Sequence, residues 1–120
     1  MSNEPRRMAN TAELPIGKHN GALWKLEPAE RGLDANVISL APGEQIGQHQ
    51  GPALDVLLHV LAGPGVLRTD SGQIDLAVGD IIYLPAHSQR QFIAGDGGLG
   101  YFSVHQRKNT TGLMPASRTS

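Results

Sequence analysis

Few side chains in this sequence could do chemistry, and their types limit it sharply. The chain has five histidines (His19, His49, His59, His87, His105), two tyrosines and no cysteine. Without a thiol there are no disulfides, no thiolate metal sites and no sulfur nucleophile. What remains is proton transfer by imidazole near neutral pH, ligation by imidazole and carboxylate, and recognition of anions by a fixed cation such as Arg90. Turn chemistry indicates which of these groups meet. Asp96-Gly97 is a strong two-residue hairpin signal, and as a hairpin loop it pairs Ala94 with Leu99, Phe92 with Tyr101 and Arg90 with Ser103. Paired residues share a face, so Arg90, Phe92, Tyr101, Ser103 and, by alternation, His105 fall on one side. A three-residue loop, Asp96-Gly97-Gly98, would shift the register by one and turn His105 outward.

The elements that must hold these groups are short strands. From Leu23 to Gln106 apolar runs are cut by turn residues at the spacing of a sandwich or barrel. Strands are predicted at 22–27, 35–41, 45–50, 55–62, 65–69, 73–78, 80–84, 89–94 and 99–106. Between them lie Pro42-Gly43, Gly51-Pro52, Gly63-Pro64-Gly65, Asp70-Ser71-Gly72, Gly79-Asp80, Pro85 and Asp96-Gly97-Gly98, each of which ends a ladder through its φ requirement or its missing donor. No segment carries sustained helical periodicity, so the fold is all-β, with at most a helical turn near Pro28-Ala29-Glu30. The run 55–62 is apolar on both parities apart from Asp55 and His59. Such a strand is covered on both faces, the outer one by a second sheet or by a partner subunit, which points to a homodimer.

Length and charge bound the rest. At 120 residues the chain makes one domain: a barrel over 13–106 between a flexible tail at 1–12 and a flexible polar tail at 107–120. Five of its ten basic residues lie in those tails, while the body holds ten acids against five bases. An acidic body repels a phosphate backbone, and five scattered aromatics make no stacking platform, so nucleic acid is not an expected partner. No apolar run reaches the roughly 18 residues of a membrane span, and Arg6-Arg7 is not followed by an export signal's apolar stretch. The expectation is a soluble, cytoplasmic protein. It carries no nucleophile elbow, no P-loop and no dinucleotide fingerprint.

Two blocks in the expected order resemble the motifs of the cupin family. The first runs from Pro42-Gly43-Glu44-Gln45-Ile46-Gly47-Gln48-His49-Gln50-Gly51 through Val56 to Val60-Leu61-Ala62-Gly63; it resembles a glycine, five residues, a His-x-His pair, a glutamate and a closing glycine. The second, Gly79-Asp80-Ile81-Ile82-Tyr83-Leu84-Pro85-Ala86-His87-Ser88-Gln89-Arg90, resembles a Gly-Asp and a proline that lead to a last histidine. Together they span about half of the chain. The resemblance implies a cupin-type double-stranded β-helix, a single-domain jelly-roll barrel that is often dimeric, with a pocket inside.

In metal-dependent members four side chains converge on one divalent cation: both histidines of the pair, the glutamate and the last histidine. Carried onto this chain, His49 matches the first ligand. The second falls at Gly51, the glutamate at Val56 with Asp55 beside it, and the last histidine at Arg90. An always-protonated guanidinium places positive charge where the cation would sit, so no cofactor is expected.

The resemblance also puts Arg90 inside the barrel, and with it His49, Phe92, Tyr101, Ser103 and His105 as ligand-binding residues. Such a pocket suits a small anionic or carbonyl-bearing metabolite, with Arg90 on a carboxylate or enolate and an imidazole to move a proton. The alternative is a cupin enzyme. It would do metal-free, isomerase-like acid–base work, or dioxygenase-like chemistry on a non-standard site of His49, Asp55, His59 and His105 holding iron, manganese, nickel or zinc. Plainer roles stand beside these: Arg90 paired with Asp55 or another acid, His59 at a dimer contact, His87 at the pocket mouth or exposed, His19 solvated, and Trp24 in a core or interface.

Overall fold

The glycine and proline clusters do end strands where they stand. A computed structural model of the chain describes residues 4–107. It contains a 3-10 turn at Thr11–Glu13 and β1 (Gly21–Lys25), β2 (Leu33–Leu40), β3 (Gln45–Gln50), β4 (Val56–Ala62), β5 (Gly65–Thr69), β6 (Gly72–Leu76), β7 (Ile81–Leu84), β8 (Gln89–Ala94) and β9 (Leu99–Gln106). All nine expected strands are present, with ends moved by no more than two residues. The segment near Pro28 makes one turn, closed by the Arg31 amide on the Pro28 carbonyl at 3.3 Å, and no helix. Within the expected N-terminal tail, the Asn10 side chain caps the 3-10 turn by accepting from the Ala12 amide at 2.9 Å. Most of the expected C-terminal tail, 108–120, lies outside the described residues. No helix among the described residues is long and apolar enough to cross a membrane.

The strands form two antiparallel sheets, ordered β1-β2-β9-β4-β7 and β3-β8-β5-β6, which face each other as the halves of a jelly roll. Alternation sorts their side chains. On β4, Val56, Leu58 and Val60 point inward and are buried, whereas Leu57 and His59 point outward and are exposed. Leu40, Leu67, Leu76, Ala94 and Leu99 join them in one core between the sheets. Each fully buried leucine contributes about 2 kcal/mol of transfer free energy, so this half of the barrel is a closed apolar plug. Outside it, Ile16 lies over Gly100, and the Gly17 amide donates to the buried Ser39 hydroxyl at 2.8 Å.

The hairpin expected at Asp96-Gly97 is corrected. Those residues do form a tight turn, with the Gly98 amide donating to the Gly95 carbonyl at 3.1 Å. However, β8 pairs with β3 and β5 while β9 pairs with β2 and β4, so no ladder joins β8 to β9 among the described residues. Gly98, at φ +84°, crosses so close to Gly17 that a Cβ would strike its carbonyl oxygen, and the chain there steps from one sheet to the other. The expected pairs Ala94–Leu99, Phe92–Tyr101 and Arg90–Ser103 therefore do not lie along a ladder; their members come from opposing sheets. Phe92 and Tyr101 meet as stacked rings with centroids 4.8 Å apart.

Candidate functional site

Above the apolar plug the barrel is open. A cavity of about 230 Å³ is lined by His49, Arg90, Phe92, Tyr101, Ser103 and His105, and also by Asn36, Ile38, Ile46, Pro52, Val56, Leu58 and Leu84. The six side chains expected to share a pocket thus line one cavity, although two opposing sheets bring them there rather than one hairpin. On β3 the register slips between Ile46, opposite Phe92, and His49, opposite Arg90. The extra residue of this bulge lets two side chains three positions apart face the same interior.

Arg90 is the group that defines the cavity. It is 5% exposed, yet no carboxylate among the described residues lies within ion-pair distance of it. Its donors go to neutral oxygens: Nη2 to the Ser88 hydroxyl at 2.7 Å and the Pro85 carbonyl at 3.4 Å, and Nε to the Ser88 carbonyl at 3.3 Å. Burial pushes its pKa below the usual arginine value, and the nearby Tyr101 acts in the opposite sense. Partial burial without a counter-charge disfavours the charged form, and the neutral acceptors offset part of that cost. Gly51 makes the placement possible, since a Cβ there would overlap the guanidinium.

The remaining polar groups are arranged around this charge. Tyr101 is 6% exposed, and burial holds its phenol protonated far above the ordinary range, so at neutral pH it can only donate or accept a hydrogen bond. His49, at the exposed rim, has Nδ1 2.9 Å from the Gly47 carbonyl; His105 has Nδ1 2.8 Å from the Gln106 carbonyl. A carbonyl only accepts, so in each ring Nδ1 carries the proton and Nε2 is left for a ligand or a proton transfer. Sequence reasoning missed Asn36. Its Oδ1 is buried without a partner, and its parity with the inward-facing Ile38 and Leu40 on β2 was the available signal.

The other expectations resolve by position. Asp55 does not reach Arg90. Its carboxylate accepts from the Ala86 amide at 2.9 Å and raises the pKa of the neighbouring Tyr83 hydroxyl, and it lines a groove on the outside of the barrel. His59 points away from the interior. The metal set of His49, Asp55, His59 and His105 is therefore corrected, because two members lie outside the cavity and no group of three ligating side chains gathers among the described residues. Nor do the residues at the positions onto which the resemblance carries metal ligands fit a cation: a guanidinium, a glycine and a valine stand where three donors would be needed. His87 is exposed at φ 65°, and its amide ties the 85–88 turn to the Pro52 carbonyl at 2.7 Å. His19 is exposed, and Trp24 stacks on Phe102 with centroids 6.5 Å apart.

Solved structures share this architecture. A cupin superfamily protein from Desulfitobacterium hafniense is similar at TM-score 0.69 and 25% identity, over 89% of this chain and 97% of that one. A cupin protein from Bacteroides fragilis is similar at TM-score 0.68 and 17% identity, over 96% and 93% of the two chains. A protein described as a sugar phosphate isomerase of the cupin superfamily, from Silicibacter pomeroyi, matches at TM-score 0.60 and 24% identity, over 67% of this chain and 54% of that one. No family model and no curated protein matches the chain.

Proposed function

We propose that this chain, a cupin-type barrel, binds a small anionic metabolite in its interior, with Arg90 as the anchor in place of a metal ion. The observation that carries this reading is a guanidinium 5% exposed, without an acid, on the wall of an open cavity. A carboxylate, or the developing oxyanion of a carbonyl compound, supplies the missing counter-charge and forms charge-assisted hydrogen bonds. The volume of about 230 Å³ holds roughly eight waters and lies below the usual range of ligand pockets, which favours a molecule of few heavy atoms. Ile38, Ile46, Val56, Leu58 and Leu84 would cover its apolar part. A thermal-shift screen of short carboxylates tests the proposal. At least one should stabilise the wild type and leave Arg90→Ala unmoved; a variant that responds equally would remove Arg90 from the site.

A catalytic version rests on the two imidazoles, whose free Nε2 atoms suit acid–base work on a bound enolisable acid. Loss of turnover with retained binding in His49→Gln or His105→Gln would support it.

The outer face of the β1-β2-β9-β4-β7 sheet we assign to a second copy of the chain. Leu57 pairs with Tyr83 and with Val104 on this face, and Leu33 and Ile81 extend it. Leu33, Leu57, Tyr83 and Val104 line one outer groove with Asp55, and His59 lies beside Ile81; this largely apolar surface suits the self-complementary contact of a twofold dimer.

A further inference from the structure

Across the barrel from Arg90, β2 and β9 place Asn36 directly beside Ser103, and both line the cavity. The Asn36 Oδ1 atom is buried with no hydrogen-bond partner, and no group among the described residues takes the Ser103 hydroxyl. Native interiors seldom leave such atoms unpaired, because each buried unsatisfied acceptor costs free energy that a bound partner would recover. An amide and a hydroxyl each donate and accept. The orphan Oδ1 calls for a donor and the Ser103 hydroxyl can donate or accept, so a ligand hydroxyl, a compact neutral group that does both, suits the pair. We infer that the ligand is a short hydroxy acid, its carboxylate on Arg90 and its hydroxyl between Asn36 and Ser103. This inference rests on the anion-binding reading above.

The pair is a specificity device, because a deoxy acid would satisfy Arg90 yet leave the amide and hydroxyl unmet. A site built to hydrogen-bond a hydroxyl discriminates against the analogue that lacks it. The experiment is a calorimetric titration of matched probes, lactate against propionate and β-hydroxybutyrate against butyrate, into the full chain. The hydroxy member of each pair should bind about tenfold more tightly to the wild type. Asn36→Leu and Ser103→Ala should bring that ratio towards one while leaving the affinity for the deoxy acid in place. The ratio is taken on one protein sample, so a partly misfolded variant does not disturb it. Equal affinities in the wild type, or a ratio that survives both substitutions, would overturn the hydroxy-acid inference alone. If no probe binds the wild type, the anion site falls and this inference falls with it.

Discussion

The guanidinium of Arg90 fills the space that a side chain on Gly51 would occupy. These are two of the positions onto which the resemblance to metal-dependent cupins carries ligands, and the guanidinium and the bare glycine beside it are sterically coupled. The relationship predicts that Gly51→Ala displaces the guanidinium without breaking the fold, since the arginine is long enough to swing towards solvent. Affinity for a short carboxylate should drop about tenfold, the equivalent of 1.4 kcal/mol, as overpacking by one methyl group commonly costs that much or more. Calorimetry on the variant checks it, and an unchanged affinity would uncouple the pair.

Placing imidazoles at both positions should create a metal site. Gly51→His combined with Arg90→His adds one imidazole just past the end of β3, which carries His49, and one on the paired strand β8, in the spacing that the resemblance implies. The double variant is expected to gain a melting-temperature response to nickel or zinc that the wild type lacks, and a chelator should abolish it. A wild type that already takes up one equivalent of either metal, bound through His49, would contradict the anchor role of Arg90.

Alkaline stability should report the cavity wall. Burial raises the Tyr101 pKa above its ordinary 10.0, so the unfolded chain loses this proton at lower pH than the folded one. The stabilisation is complete below pH 10.0 and is lost progressively as pH rises above that value. Tyr101→Phe should flatten the decline seen in denaturant titrations at high pH, where Tyr83 beside Asp55 also contributes. A decline of unchanged slope in the variant would mean that Tyr101 ionises freely in the folded protein.

The dimer proposal is tested on the outer face. Leu57→Asp should convert a dimer into a monomer in sizing chromatography at micromolar concentration, with the melting temperature falling as the partner is lost. A wild type that already elutes as a monomer would refute the assignment.

Much of this was legible in the chain because glycine and proline act locally. Pro42-Gly43, Gly79-Asp80 and Pro85 stop ladders wherever they occur, so strand positions could be read without knowing their neighbours. What could not be read is which strand pairs with which. Asp96-Gly97 makes its turn as expected, but the contact of Gly98 with Gly17, far away in the sequence, accompanies a turn that joins two sheets. Residues on the facing walls met anyway, since a strand's inner parity does not depend on its partner. The same separation of local from distant information hid Asn36, whose polar character interrupts the apolar run of β2, and the β3 bulge, which places His49 and Ile46 on one face against simple alternation.

As an anchor, Arg90 would be kept in the interior for a ligand, at a cost to the empty protein. Arg90→Met removes the charge and keeps much of the volume, so the thermal unfolding of this variant, with and without a short carboxylate, weighs the two roles against each other. Replacement of a buried ionic group by a well-packed apolar one is often neutral or stabilising by about 1–4 kcal/mol. With Arg90 as anchor, ligand-free Arg90→Met melts no lower than the wild type and gains nothing from the carboxylate. A variant that melts well below the wild type and is still stabilised by the acid would show Arg90 to be a structural latch for the 85–88 turn and would refute its role as anchor.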